Sequence, residues 1–308
     1  MIRDEQYHIP VLVDEVISLL KIRQNGLYID ATLGGGGHAV KIMEKGAALL
    51  AIDGDQDAID HFRSVLEKKG IRLVKGISDQ KYNFNILHNT NIFLARGNFK
   101  HIKKIAESIN FTKVDGILFD LGISSHQLDL SNRGFSFQKD EPLDMRMDKR
   151  EKLTAEIILN HFAKGELYDI FSTYAEEINS RRISESIIRA RSLKHLETTS
   201  DLLNALGLDK DRFEHRKELA RIFQSIRIAV NDELINLKKA LAQSADLLKT
   251  NGRLVFITFH SLEDRIVKLK MRKEKFREIT KKPLTAQKEE LLKNSRSKSA
   301  KVRVYEKI

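Results

Sequence analysis

Four consecutive glycines, Gly34–Gly37, follow a short apolar stretch that ends in Asp30. A second apolar stretch ends in Asp53, close to 20 residues beyond the first of these glycines. Glycine lets a chain turn sharply off a strand and lets a ligand approach the backbone closely. An acid at this distance from such a loop is placed to meet a ribose hydroxyl. The spacing predicts a site for an adenosine-containing cofactor, but it does not distinguish a dinucleotide from S-adenosylmethionine.

Two other polar groups follow apolar stretches farther along the chain. Asp120 ends one stretch and opens onto a Gly-Ser-Ser loop, and His260 follows another. In open α/β sheets, ligands bind at the carboxyl ends of the strands, so both side chains are expected near the glycine loop. We predict that Asp120 holds a ligand ammonium group or orients an attacking amine, and that His260 binds substrate as an unpaired imidazole.

Purely structural interpretations of the same residues remain open. Asp120 is also suited to capping a turn, and Ser261 to capping a helix that has Glu263 in its first turn. The loop Arg133–Asp148 mixes aromatic and charged residues without periodicity, which favours a binding loop over a simple hinge. Arg227, Asn231 and Glu233 are interpreted as ordinary polar positions of a helix. The chain has no G-x-S-x-G elbow, so its Ser, His and Asp residues do not indicate a hydrolase triad.

Continuously apolar stretches separated by helical patterns position these groups. Such stretches are typical of strands buried on both faces of a parallel sheet, and their alternation with helices favours a doubly wound α/β fold. The predicted strands are Leu27–Ala31, Ala47–Ile52, Ile92–Ala95, Val114–Asp120 and Arg253–Phe259. The segment Gly76–Asn91 is interpreted as a polar insertion or a long connection. The last stretches, Arg277–Thr280 and Val302–Tyr305, are predicted to form an antiparallel edge pair.

The pattern after residue 128 is helical. Four segments repeat apolar residues at helical spacing: Ala155–Phe162, Glu166–Tyr174, Ser180–Ser192 and Thr199–Leu206. A longer helical region, Arg221–Leu248, leads to a break at Asn251 and Gly252. We therefore predict a core over residues 1–128, an all-α insertion over 129–215 between strands four and five, and a return to the core over 216–308.

Composition limits the function. The 308 residues include no cysteine, which excludes disulfides and thiolate metal sites and fits a reducing cytoplasm. No metal site, membrane partner or secretory signal is predicted. The net charge of +11 lies wholly in residues 265–308, which contain 16 Lys and Arg against 5 Asp and Glu. This asymmetry is typical of nucleic-acid binding, although a solvated lysine-rich surface explains it nearly as well.

With these blocks in order, the chain closely resembles the bacterial 16S ribosomal RNA cytosine-N4 methyltransferases (RsmH, formerly MraW). The matching segments span nearly the whole chain. They are His8–Leu12, Tyr28–His38, Ala51–Asp55, Gly97–Phe99, Asp115–Gln127, Arg133–Met147, Phe223–Leu234, Phe259–Lys268 and Asn294–Arg303. The segment Gly76–Asn91 departs from the family because it is longer than the usual connection.

The resemblance implies a class I S-adenosylmethionine-dependent methyltransferase, Rossmann-like with a mostly parallel sheet, that methylates a decoding-centre cytidine within the small ribosomal subunit. It implies a cytoplasmic enzyme with 16S rRNA as partner; a homodimer is one option for its assembly. The implied cofactor contacts are Gly36, Gly37 and His38 for the methionine part, Asp53 for the ribose, Phe99 for the adenine, and Asp120 and Gln127 to complete the site.

The target base needs a clamp. DNA amino-methyltransferases hold the flipped base with a Pro-Pro-aromatic run after the acid, whereas this chain continues from Asp120 as Leu-Gly. We predict a clamp by Phe135 or Phe137, with His260 and Arg265. Two rival functions remain: a non-catalytic ribosome-assembly or RNA-binding factor, and an NAD(P)-dependent oxidoreductase, for which no hydride-transfer constellation is recognisable.

Overall fold

A computed structural model describes residues 10–308, except for the side chain of Lys293. The predicted resemblance segment His8–Leu12 therefore begins outside the described residues. The described chain forms two compact units, one comprising the residues up to Ser124 together with Leu234–Ile308, the other Ser125–Glu233. None of the described helices is both long and apolar enough to cross a membrane.

The first unit contains a sheet of nine strands in the described chain. The strands are β1 Leu27–Asp30, β2 Ala48–Asp53, β3 Val74–Asp79, β4 Phe84–His88, β5 Ile92–Arg96, β6 Val114–Asp120, β7 Leu248–Thr258, β8 Phe276–Glu278 and β9 Lys301–Lys307. Their order in the sheet is β3-β4-β5-β2-β1-β6-β7-β9-β8. The five central strands, β5-β2-β1-β6-β7, are parallel, which confirms the predicted mostly parallel α/β class.

The continuous apolar stretches reflect burial on both faces of this sheet. Along β6, Ile117 and Phe119 enter one hydrophobic cluster, whereas Leu118 enters the other, because successive side chains of a strand point to opposite faces. The helices of this unit are α1 Val13–Leu20, α2 Gly37–Glu44, α3 Gln56–Lys68, α4 Ile102–Ser108, α11 Glu233–Leu247, α12 Ser261–Met271 and α13 Lys288–Lys293. The first residue of α11, Glu233, is assigned to the second unit.

The segment Gly76–Asn91, interpreted as a polar insertion or a connection, contains most of β3 and all of β4, so that interpretation missed two strands. β3 and β4 form an antiparallel hairpin, and β4 pairs antiparallel with β5. Most side chains of β3 are exposed, so this edge strand lacks the apolar run by which the central strands are recognised. The other edge is also antiparallel: β9 pairs with β7 and with β8, as predicted.

The helical region predicted over Arg221–Leu248 is two helices. The first begins earlier, at Phe213, and ends at Asn231, where Asp232 adopts φ 50°. The second leads directly into β7, which starts at Leu248 rather than at Arg253. The predicted break at Asn251 is an irregularity inside the strand, where the pairing of β6 with β7 shifts register and Asn251 adopts φ 63°.

The second unit is helical. Its helices are α5 Ser125–Asp129, α6 Ala155–His161, α7 Lys164–Tyr174, α8 Ser180–Leu193, α9 Thr199–Leu206 and α10 Phe213–Asn231. Helix α10 packs against α6 and α7 within this unit. The unit therefore spans residues 125–233, whereas the sequence prediction placed the insertion at 129–215.

Candidate active site

The glycine loop is fixed by Asp53, at the tip of β2. Asp53 Oδ2 accepts a hydrogen bond from the backbone N–H of Gly34 at 2.8 Å, and Oδ1 accepts one from the N–H of Asp55 at 2.9 Å. A Cβ added to Gly34 would lie 4.0 Å from Ser124 and from the carbonyl of Thr32, an ordinary contact distance. The loop is thus anchored by a carboxylate, and Gly34 itself is partly exposed.

Gly36 and Gly37 are required by the packing of the first unit. Gly36 precedes α2 with φ +77°, and a Cβ there would lie 2.3 Å from the ring of Phe62. A Cβ on Gly37 would lie 2.4 Å from Pro10. Neither position has room for a side chain, so both glycines are required by packing as well as by the cofactor motif. Their backbone remains a candidate for ligand contact.

Thr32 links the tips of β1 and β6. Its hydroxyl oxygen accepts a hydrogen bond from the N–H of Asp120 at 2.6 Å, and its own N–H donates to Asp30 Oδ1 at 3.2 Å. The sheet order places β1 beside β6, where the direction of strand progression reverses; this is the switch point at which α/β proteins bind ligands. Asp30 and Asp120 therefore belong to one crevice of the first unit.

Burial and mutual repulsion disfavour the charged forms of these acids. Burial, with a smaller contribution from Asp53, raises the pKa of Asp30 to about 7. Burial, followed by the nearby Asp30 and Glu263, raises the pKa of Asp120 well above its usual value. Asp120 Oδ1 is buried and has no hydrogen-bond partner among the described residues. A buried, unpaired carboxyl oxygen among acids fits a positively charged ligand, and S-adenosylmethionine is such a ligand.

His38 also lies beside Asp120. It is only 4% exposed; its Nε2 lies 3.0 Å from the carbonyl oxygen of Val11, and its Nδ1 lies 3.6 Å from Asp120 Oδ2. Burial lowers the pKa of His38 to about 4, although the contact with Val11 opposes that shift. The imidazole is therefore neutral at physiological pH.

The tip of β7 is organised by Glu263. Its Oε2 accepts hydrogen bonds from the backbone N–H of Phe259 at 2.8 Å and of His260 at 3.4 Å. His260 Nε2 lies 3.1 Å from Glu263 Oε1, although the alignment does not make a hydrogen bond. An acid therefore faces this imidazole, although neither ring nitrogen has a hydrogen-bond partner among the described residues. The N-cap residue of α12 is His260, not Ser261 as expected.

The remaining predicted site residues of the first unit are Phe99 and Arg265. Phe99 begins a short 3₁₀ turn after β5, and its ring meets that of Phe119 edge-on at 6.0 Å between centroids. Phe99 is partly buried. Arg265 is an exposed residue of α12.

Three predicted site residues belong to the second unit. Gln127 is buried in α5. Phe135 is only 5% exposed, with the Arg133 guanidinium 5.4 Å from its ring centroid, so its ring is part of the interior. Phe137 is more accessible and meets Phe223 edge-on at 5.5 Å.

The loop that contains these aromatics is held by side chains taken for ordinary helix positions. The Asn231 amide accepts from the N–H of Met147 at 2.7 Å and donates to the carbonyl of Met145 at 2.8 Å. Arg227 and Glu233 form a two-pronged ion pair, each 11% exposed. Asn231 therefore holds the loop, and Arg227 and Glu233 pair with each other at the helix end, so these three are not ordinary polar positions of a helix.

Asp30, Thr32 and Glu263 are members of the crevice that were not selected from the sequence. Asp30 had a recognisable signal, because it ends the first apolar stretch just as Asp53 and Asp120 end theirs. Glu263 was explained by its place in a helix turn, and its contact with the tip of β7 requires the folded chain. Thr32 carried no signal beyond its position in the loop.

The fold and this crevice define a methyltransferase of the S-adenosylmethionine-dependent class. S-adenosylmethionine is also the cofactor expected from the sequence. Residues 5–308 match the model of the MraW methylase family, and the chain belongs to that family.

Similar proteins cover the chain almost completely. A protein of Heliobacterium mobile named "Ribosomal RNA small subunit methyltransferase H" is 40% identical over 99% of this chain and 100% of its own. The protein of the same name from Carboxydothermus hydrogenoformans is 38% identical over 98% of both chains.

The likeness to solved structures is weaker. An rRNA methylase from Streptococcus thermophilus has a TM-score of 0.41 and 10% identity, and covers 96% of this chain and 93% of its own. A Streptococcus mutans protein in complex with SAH has a TM-score of 0.43 and 13% identity, and covers 97% and 99%. Likenesses this remote support no argument about the site.

Proposed function

We propose that this protein uses S-adenosylmethionine to methylate the exocyclic N4 of a cytidine in the decoding centre of 16S rRNA. The names of its relatives support a small-subunit ribosomal RNA substrate. The observation that carries the amino-group target is Asp120, whose buried Oδ1 has no hydrogen-bond partner among residues 10–308. A carboxyl group with an unused oxygen at the switch point is suited to an amine.

The first unit provides the residues proposed to hold the cofactor. Asp53 would bind the ribose with oxygens that already accept from the loop and from Asp55. Phe99 would lie by the adenine, and the backbone of Gly36 and Gly37 with His38 would contact the methionine part. When bound, S-adenosylmethionine supplies an electrophilic methyl group.

The cytosine amino group is a weak nucleophile because its lone pair is delocalised into the ring. The protein must position this nitrogen and stabilise the positive charge that develops on it, and positioning alone can supply several kcal/mol. Asp120 is proposed to do both, since its carboxyl lies in a buried setting where electrostatic effects are strong. Gln127 remains a predicted member of the cofactor site.

The base must be unpaired before an enzyme can reach it, so a folded ribosomal surface is expected to present it. His260 and Arg265 remain the predicted substrate contacts of the first unit. Of the two aromatics predicted for the clamp, Phe137 is favoured, because the ring of Phe135 is buried.

The test is methylation of small subunits taken from cells that lack the corresponding gene. Subunits are incubated with the protein and methyl-labelled S-adenosylmethionine, and digested rRNA is analysed by mass spectrometry. We expect labelled N4-methylcytidine at one site, and a much slower reaction on protein-free 16S RNA. The Asp53→Ala variant controls for cofactor binding, and the exposed Asp60→Ala variant controls for the loss of a carboxylate.

The outcome separates the rival functions. Label in a nucleoside other than N4-methylcytidine would contradict the assignment of the cytidine amino group. Binding to the subunit without methylation, together with calorimetry that detects no S-adenosylmethionine binding, would favour an RNA-binding assembly factor. Calorimetric binding of NAD in place of S-adenosylmethionine would favour an oxidoreductase.

A further inference from the structure

The two nitrogens of the His38 ring have different neighbours. Nε2 lies 3.0 Å from the carbonyl oxygen of Val11, which only accepts hydrogen bonds, so Nε2 carries the proton of the neutral ring. Nδ1 then presents a lone pair toward Asp120 Oδ2, 3.6 Å away. A carboxylate oxygen facing that lone pair would be repelled, whereas a protonated carboxyl would be attracted to it, across a distance slightly longer than a hydrogen bond.

The surroundings of Asp120 also favour the protonated form. Among residues 10–308, the titratable groups that face it are His38 from α2, Asp30 from β1 and Glu263 from α12, and Asp53 in turn acts on Asp30. Two of these three described neighbours are acids, and the third is a neutral imidazole. Its Oδ1 lacks a hydrogen-bond donor in the described part of the chain. A negative charge on Asp120 is therefore poorly compensated in the free protein.

A positively charged ligand in this crevice would reverse that balance. S-adenosylmethionine carries a sulfonium charge, whereas S-adenosylhomocysteine has a neutral sulfur and the same amino-acid and nucleoside parts. A positive charge near a carboxyl group favours its ionised form, so the first ligand should expel a proton that the second leaves in place.

We propose that Asp120 and His38 share one proton, held on Asp120 against Nδ1 of His38, and that binding of the sulfonium cofactor releases it, leaving Asp120 as the acceptor for the proton lost by the target amine. This inference rests on the proposed function. The nitrogen lone pair would form the bond to the methyl carbon while the sulfur–carbon bond breaks and leaves its electron pair on sulfur, which becomes neutral. One N–H proton would pass to the Asp120 carboxylate and then to water, and the electron pair of that N–H bond would stay on nitrogen. His38 acts as a positioning residue, because it touches Asp120 and stabilises the acid form.

Proton release can be measured without RNA and without turnover. Calorimetric titrations at pH 7 in buffers of different ionisation enthalpy give the protons released per ligand bound. We expect S-adenosylmethionine to release about one proton more than S-adenosylhomocysteine, and the Asp120→Asn variant to show a difference near zero. Equal release by the two ligands in the wild-type protein would overturn the proposal.

Two substitutions of His38 separate its nitrogens. His38→Asn keeps an acceptor near the position of Nδ1, whereas His38→Gln keeps a donor near the position of Nε2 but leaves Asp120 without its acceptor. The difference between the two ligands should persist in His38→Asn and fall in His38→Gln. The reverse order would contradict the assignment of the shared proton.

Nitrogen-15 NMR of labelled histidine tests the pair directly, even where a variant folds poorly. In the free wild-type protein, His38 should be the Nε2–H tautomer from pH 5 to 8, and a doubly protonated ring in that range would overturn the proposal. If S-adenosylmethionine does not bind, the proposed function fails, while the NMR result still decides the proton. If N4-methylcytidine forms without differential proton release, only the inference fails.

Discussion

At the scale of single residues, Asp30 and His38 make opposite demands on pH although both are buried. Burial raises the pKa of Asp30 to about 7 in the folded state, whereas the unfolded chain loses this proton near the ordinary value of 3.8. Burial lowers the pKa of His38 to about 4 in the folded state, whereas the unfolded chain binds a proton below the ordinary value of 6.5. As pH rises between these limits, Asp30 lowers the free energy of unfolding and His38 raises it.

Replacing Asp30 by a residue that cannot ionise should therefore show how Asp30 changes the free energy of unfolding as pH rises. Asn matches the shape of a protonated Asp and cannot ionise. Relative to wild type, Asp30→Asn should gain stability as pH rises from about 4 to about 7, by up to roughly 4 kcal/mol over that interval. Urea unfolding at pH 4, 5.5 and 7 measures this difference, with the exposed Asp60→Asn as the matched control. A constant difference across the three pH values would show that Asp30 is ionised in the fold.

Residue types at strand tips were predictable from sequence, whereas their pairings were not. Asp53 and Asp120 were selected because an acid ended an apolar run. The contact between Asp120 and His38 joins residues far apart in sequence, and no local pattern specifies it. The neighbour of His260 is a residue of the following helix turn, which the sequence presented only as a charge favourable to that helix.

At the scale of elements, buried strands were predictable and exposed ones were not. The central strands are covered on both faces, so their sequences are continuously apolar. Val74 and Ile77 of β3 are exposed instead, and β3 joins the sheet only through β4, whose Phe84 and Ile86 are buried on one face. The prediction of one continuous helical region was also wrong at Asp232, which adopts φ 50° and ends a helix there.

The start of α2 makes a sharper prediction about an element. Gly36→Ala would place a methyl group 2.3 Å from the Phe62 ring at φ +77°, so overpacking and backbone strain should together cost about 2–5 kcal/mol. Gly165, in helix α7, has no atom within 4 Å of an added Cβ and no positive φ. Gly165→Ala should stabilise slightly, by about 0.5 kcal/mol. Chemical denaturation of the full chain measures both, and similar effects of the two variants would contradict the predicted role of Gly36.

At the scale of the whole molecule, the charge of the chain has a specific location. Residues 265–308 contain the entire net excess of +11, and several of their basic side chains are exposed. Several basic residues of this segment are engaged inside the first unit: Arg303 pairs with Asp264, Arg277 pairs with Glu306, and Lys307 donates to the carbonyls of Ala245 and Leu248. The excess available for RNA is therefore smaller than the sequence count and is carried by residues such as Lys281 and Lys282, both exposed.

These two lysines should contribute to RNA affinity mainly by neutralising phosphates. The double variant Lys281→Gln and Lys282→Gln should weaken binding to small ribosomal subunits at low salt. It should also reduce the slope of log affinity against log salt by about 1.5, because each neutralised phosphate releases a counterion. Fluorescence anisotropy of labelled protein between 50 and 200 mM KCl, about the range where such slopes are read, measures this effect. The control is Lys68→Gln with Lys69→Gln, which removes two exposed charges at the end of α3 and outside the basic segment. Equal slopes for the two double variants would mean that the location of the charge excess does not decide where RNA binds, and that only the total charge matters.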